Sequence, residues 1–443
     1  MKLTKMSLVT ALLIGSSAFA IDNVKVSGNA QVFYNTSDTK YAGYGKVAQS
    51  DTLFSKDNSA ADAGLNLNAS ADLFKNDLVS ISTGAGYTVL STLGLENNFV
   101  SNVWGGAHKA TVPASGVAYG KALGGAQVDT ANWVNEAWVA VSAGKTTAKI
   151  GRMALDTPLV FTETWSIEKN TFESAVLINQ DIPDTTLVGA YVGTGNGTET
   201  FGQDARSGIA NNSIAGTNLA VGPVVNAGGK FTTYGTNGAY AAGIINNSYK
   251  PLTVQAWYFS LSKLANAYWL QADLSMDGVM AGAQYANESV NGSGTKDDNV
   301  YALMLGYEMK DVATAKISYS SVNDDGYLGG AGANTATSTG ASKLYTEAWW
   351  NYGYVTRSNT NSFNITVTSP VQGLFDLGLY YTNANQDKGG NIVTPVDMQE
   401  FTLTASKSFG PLDATLAYIN TNADDQNNGD SFNTIQAYLT LNF

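Results

Sequence analysis

Apolar and polar residues alternate along most of this chain with a period of two, the pattern of strands that face two different environments. From Ala63 to Leu73, the residues Leu65, Leu67, Ala69, Ala71 and Leu73 fall on one face, with Asn66, Asn68, Ser70 and Asp72 on the other. Tyr301, Leu303, Leu305, Tyr307 and Met309 alternate with Ala302, Gly306 and Glu308. Phe363, Ile365 and Val367 alternate with Asn364, Thr366 and Thr368, and Leu412, Ala414, Leu416 and Tyr418 with Asp413, Thr415 and Ala417. One face apolar or aromatic and the other small or polar is what a strand needs when lipid covers one side and water the other. Tyr34, Tyr87, Tyr307, Tyr319 and Tyr418 recur near strand ends, where an interfacial aromatic girdle would put them.

The connections alternate too. Tight turns are expected at 75–77, 143–145, 181–184, 247–250, 276–278, 310–312, 370–373 and 409–411. Between them lie mostly long stretches rich in Gly, Asn, Ser, Thr and Asp: 35–60, 91–131, 153–171, 194–237, 289–298, 322–360, 385–397 and 422–430, plus a short one near Ser262. Eight turns and nine loops imply about eighteen strands, with both termini at the turn end. Leu344 to Tyr354, with Trp349 and Trp350, breaks this parity if read as a strand and is assigned to a folded outer loop. The expected fold is all-β: a transmembrane antiparallel β-barrel with short periplasmic turns and long extracellular loops.

The two ends fit that reading. Lys2 and Lys5, an apolar run from Leu8 to Ile14, and Ala18-Phe19-Ala20 form a secretory signal peptide over residues 1–20, leaving 21–443 as the barrel domain. The run is too short and too interrupted, by Gly15, Ser16 and Ser17, for a spanning helix. The chain stops at Phe443 after Ile435, Ala437, Leu439 and Leu441 at alternate positions, a terminal strand that resembles the signal read by the barrel-assembly machinery.

Composition narrows the function classes. There is no cysteine, so there is no disulfide framework and no thiolate chemistry. The single histidine, His108, sits in a Gly-flanked loop without any nucleophile signature nearby, which argues against an enzyme and against a transition-metal site. A formal charge of −12, or −14 once Lys2 and Lys5 leave with the signal peptide, argues against nucleic acid as a partner. No cofactor is expected. The acidic pairs Asp297-Asp298, Asp324-Asp325 and Asp424-Asp425 offer at most weak Ca²⁺ or Mg²⁺ coordination, including bridging to lipopolysaccharide phosphates.

The third loop, 153–171, is more apolar and aromatic than the others, which suits a segment packed inside a lumen. A barrel of about eighteen strands encloses a wide aqueous channel, and an inward-folded loop would narrow it. Asp156, Glu163 and Glu168 of this loop, facing Lys149 and Arg152 of the preceding strand, would form the constriction and set a transverse field. The inward set Asn66, Asn68, Asp72, Gln271, Asp273, Glu308, Asp376 and Asp413 would line the pore.

From Ala143-Gly144-Lys145 through Gly151-Arg152-Met153, on to Phe172-Glu173-Ser174, and again at the Phe443 ending, the chain resembles the major outer-membrane porins of campylobacters and their OprD-like relatives. That resemblance implies eighteen strands, a third loop that narrows the pore, acidic loop residues set against a basic wall, and a homotrimer in the lipid bilayer. With only Arg152, Arg206 and Arg357 as arginines, a long basic ladder for carboxylate substrates is not expected. The function expected is passive diffusion of small hydrophilic solutes and ions, with a mild cation preference. The competing expectation is a structural or adhesive barrel acting through its long loops 91–131, 194–237 and 322–360.

Overall fold

The computed structural model describes the chain outside residues 1–21, 43–45, 48–51, 56–58, 92–130, 166, 197–212, 215–218, 221–230, 234–237, 262–264, 292–295, 325–329, 336–340 and 390–391. The leader 1–20, His108 and Asp325 lie outside the described residues.

Eighteen antiparallel strands close into one barrel. The first six are β1 (Asp22–Ser37), β2 (Ser59–Lys75), β3 (Val79–Ser91), β4 (Ala131–Ala143), β5 (Thr146–Met153) and β6 (Phe172–Asn179). Then come β7 (Thr185–Gly195), β8 (Ala239–Asn246), β9 (Leu252–Leu261), β10 (Ala265–Met276), β11 (Val279–Val290) and β12 (Asp298–Met309). The last six are β13 (Ala313–Val322), β14 (Thr360–Val371), β15 (Phe375–Gln386), β16 (Met398–Phe409), β17 (Leu412–Ala423) and β18 (Phe432–Asn442). Each pairs with its neighbours in sequence, and β1 pairs with β18 from Asn29↔Asn442 to Ser37↔Thr434, so no edge is left open. In hydrocarbon, where water cannot satisfy backbone groups, only such closure lets strands span.

The eight tight turns fall where the alternation put them. Asp277 and Gly278 both take positive φ, 52° and 83°, the two-residue geometry whose twist matches that of paired strands. Long connections gather at the opposite end, and the segment Leu344 to Tyr354 forms no strand.

Outward residues form a broad apolar surface. On β12, Tyr301, Leu303, Leu305, Tyr307 and Met309 are about half exposed while Ala302 is fully buried. A continuous apolar belt of this size needs lipid to cover it. At the loop end, Tyr87, Tyr258, Tyr285, Tyr319 and Tyr418 each donate their hydroxyl to the side-chain oxygen of an asparagine, namely Asn132, Asn266, Asn299, Asn361 and Asn433, at 2.6–2.9 Å. Each pairing lets the ring sit in an apolar layer with its polar tip satisfied.

At the closing seam, the Gly28 amide donates to the Phe443 carbonyl at 2.8 Å and the Phe443 amide returns a bond to the Gly28 carbonyl at 3.0 Å. The Phe443 ring lies over Gly28, where a Cβ would come within 2.7 Å of it and within 2.4 Å of the Asn66 carbonyl. Glycine alone permits that approach.

Candidate functional site

The third loop folds inward and ties to strands far from its own stem. Its first half closes on itself, with the Thr162 amide donating to the Leu155 carbonyl at 2.8 Å and the Thr157 hydroxyl to the Val160 carbonyl at 2.6 Å. Leu155, Leu159 and Val160 join an apolar cluster that includes the lumen-facing Trp257, Phe259 and Trp269 of β9 and β10. The second half is a short hairpin, Thr164–Trp165 against Glu168–Lys169, closed by Asn170, whose side-chain oxygen accepts from the Glu163 amide at 2.7 Å. This half reaches β1 and β2: Gln31 Nε2 donates to the Ile167 carbonyl at 2.8 Å, and Asn66 Nδ2 to both carboxyl oxygens of Glu168 at 3.2 and 3.1 Å. Ile167 packs with Phe33, Leu90, Trp133 and Ile419 of the wall. The wall is thinned to receive it, since a Cβ at Gly64 would lie 2.2 Å from Glu168 Oε1.

A second loop enters the lumen as well. The seventh, joining β13 to β14, is fixed by lumen-facing carboxylates that accept its backbone amides. Glu400 accepts from Trp349, Trp350 and Asn351 at 2.7–3.1 Å, Glu288 from Gly332 at 3.0 Å, and Asp298 from Gly330 at 3.2 Å. Trp350 stacks near Phe33 of β1, ring centroids 6.2 Å apart, and the Tyr345 hydroxyl donates to Asp273. Burial and the Asp273 carboxylate hold that hydroxyl's proton well above the usual phenol range. Within the loop, burial pushes Glu347 up to about 7, against the pull of donors from Ser342, Ala348 and Gly353. The two loops meet: Asn334 Nδ2 donates to Glu163 Oε1 at 2.7 Å and to the Phe161 carbonyl at 2.9 Å, while Lys343 pairs with Asp156.

The loop acids and basic wall residues expected to oppose one another are placed differently. Asp156 alone of the three loop acids is open to water, and its ionic partner is Lys343. Glu163 and Glu168 are buried, held by the amides of Asn334 and Asn66. Lys149 does face the lumen, 4.0 Å from the centroid of the Trp138 ring, in a group with Glu136 and Lys169, which pair at 3.2 Å. Arg152 does not face it. Strand parity puts Arg152 on the same face as the exposed Ile150, where its Nε donates to Glu173 at 2.8 Å and its guanidinium covers Phe231. The expected opposition of Arg152 to the loop acids is absent because strand side chains two positions apart share a face.

All eight expected lining residues lie on the lumen side. Asn66 is covered by the third loop, Asn68 lies opposite Gly86 of β3, and Asp72 accepts from Asn23 at 2.6 Å. Gln271 and Asp273 bond each other at 2.7 Å beneath Tyr345. Glu308, Asp376 and Asp413 are exposed toward the turn end, where Glu308, Asp311, Asp376, Tyr380 and Thr404 line a recess of about 410 Å³. Among the acidic pairs, Asp297 is exposed while Asp298 is buried against Gly330, so the two carboxylates do not share a site. Asp425 is taken by Arg357 and Tyr354, and Asp424 accepts from the Asp397 amide. Among the described residues, no group of three or more potential metal ligands converges.

The fold and this lumen define a class, the closed eighteen-strand barrel crossed by inward loops. Solved structures that match it are the Pseudomonas aeruginosa outer membrane protein opdK, OccK8 (OprE) from the same species, and OccAB4 of Acinetobacter baumannii. Their identities to this chain are 12%, 14% and 11%, with TM-scores of 0.67, 0.66 and 0.69. The matches cover 96% of this chain and 100%, 99% and 99% of those. No protein-family model matches the sequence, and no curated protein does.

Proposed function

We propose that this chain is an outer-membrane porin, a water-filled channel for passive diffusion of small hydrophilic solutes and ions. The observation that supports the reading is a closed barrel whose outer face is apolar, whose inner face carries most of the polar strand positions, and whose third and seventh loops are bonded to its inner wall and to each other; on this reading the two loops narrow the lumen. Eighteen strands enclose more space than side chains alone can fill. Sieving and electrostatic focusing then do the selecting, with no covalent step. The matched opdK and Occ structures support the architecture, and the likeness to the campylobacter and OprD-like porins supports the role. Export through the periplasm, loss of residues 1–20, assembly through the Phe443 strand and a trimer in a lipopolysaccharide-bearing membrane belong to the same reading.

A mild cation preference follows from the water-exposed lumen acids Asp156, Glu308, Asp376 and Asp413, set against lysines that are partly paired. The test is planar-bilayer recording of the purified protein. Steady channels with a cation-selective reversal potential in a salt gradient are the expected result. Clear anion selectivity would remove the preference, and an absence of conductance would favour the structural or adhesive role.

A further inference from the structure

The second half of the third loop is seated on the barrel wall by one carboxyl group. Glu168 is 1% exposed, and its two oxygens share a single amide donor, Asn66 Nδ2. Oε1 fills the notch left by the missing side chain of Gly64. The charged and titratable groups around it give a carboxylate little help. Asp62, on the same face of β2 two residues before Gly64, is 2% exposed and disfavours a second negative charge. From the loop, Lys169 directs its ammonium to Glu136, a β4 residue, at 3.2 Å. From β1 the facing groups are the neutral Gln31 and Asn29, the latter accepting from the same Asn66 amide at 3.0 Å. A buried carboxylate with one neutral donor is strongly disfavoured, whereas the protonated acid fits the notch at little cost.

We propose that Glu168 is a proton-dependent latch, a positioning residue that holds the third loop across the lumen as the neutral acid and releases it as the proton is lost. The inference rests on the porin reading above and adds a control on its constriction. Burial, with Asp62 adding to it, pushes the docked Glu168 up to about 8, from 4.5 for an unperturbed glutamate, although Asn66 and Lys169 pull the other way. Docking therefore takes up a proton. It is fully favoured below about 4.5, weakens as the pH rises, and is at its weakest above about 8.

The experiment is single-channel recording of the full-length protein in planar bilayers from pH 5 to 9.5, comparing the wild type with Glu168→Gln and Asn66→Ala. In the wild type, open-level noise and larger conductance states should increase with pH and level off above about 8. Glu168→Gln, an uncharged isostere, should hold the low-pH behaviour across the range. Asn66→Ala should show the large states already at low pH. Steady wild-type channels whose pH profile Glu168→Gln leaves unchanged would overturn the latch while leaving the porin reading intact. No channels at any pH would overturn both.

Discussion

The two loops that enter the lumen are anchored by opposite devices. The seventh is held through its backbone: carboxylates of the wall accept the amides of consecutive residues, and Trp350 adds apolar contact against Phe33. The third is held at its carboxylates, with Asn66 gripping Glu168 and Asn334 gripping Glu163, while Gln31, Asn334 and Thr335 each donate to a single carbonyl of it, Ile167, Phe161 and Leu159. A backbone anchor leaves several buried donors stranded at once if its acceptor is lost, so it behaves as a fixed part of the wall. A side-chain anchor can be undone by one proton or one rotamer. Of the two, the seventh loop is the scaffold and the third the adjustable element.

The largest expected effect comes from Glu400→Ala. Each buried donor left without an acceptor costs about 1–3 kcal/mol, and this change strands the amides of Trp349, Trp350 and Asn351 together. The seventh loop should undock, with a several-fold rise in single-channel conductance while the heat-modifiable mobility of the folded barrel on gels persists. Conductance equal to the wild type would show that this loop does not obstruct the pore.

Next in size is Asn334→Ala, which removes the Asn334 bonds between the loops, leaving those of Thr335 and Lys343, and leaves Glu163 without that donor. The expected destabilisation of the third loop is about 1–3 kcal/mol, read as more frequent transitions between conductance levels. If current traces stay as quiet as those of the wild type, the Asn334 bonds do not steady the third loop.

A smaller, sharper test separates the two basic residues that sequence placed together. Lys149→Ala should shift the reversal potential toward cations, because this ammonium faces the lumen. Arg152→Ala should leave it unchanged, because Arg152 is turned outward onto Glu173 and Phe231. Equal shifts for the two would contradict the strand parity described above.

That pair also marks what the sequence could tell. All eight turns, the strand number and the inward face of residues such as Gln271 and Glu308 were legible, because a period of two and the turn residues are local signals. The direction of Arg152 was legible in principle from Ile150, two residues earlier, but an expectation of opposed charges outweighed the alternation. The aromatic character of Leu344 to Tyr354 was visible; its fixation was not. Glu400 is about fifty residues away from the amides it accepts, and no local pattern announces that a carboxylate at an inward strand position will meet a backbone rather than water. Asn334 is likewise one asparagine among many in a Gly- and Asn-rich loop. What seats the two loops is long-range pairing, which periodicity does not encode.

The smallest expected change, and the one that addresses selectivity most directly, is at the exposed tie between the loops. Asp156 is open to water and pairs with Lys343, whose ammonium also lies over the Phe161 ring, 5.1 Å from its centroid. An exposed ion pair contributes little to stability and is screened by salt, so neither Asp156→Asn nor Lys343→Gln should loosen the loops measurably. Each does alter the charge a passing ion meets. Asp156→Asn should move the reversal potential toward anions and Lys343→Gln toward cations, with both shifts fading as ionic strength rises. A double variant that restores the wild-type value would show that the pair acts on ions as a local charge balance. If instead Lys343→Gln raised conductance as Asn334→Ala is expected to, the pair would be a mechanical tie, and the seventh loop would hold the third by charge as well as by amide.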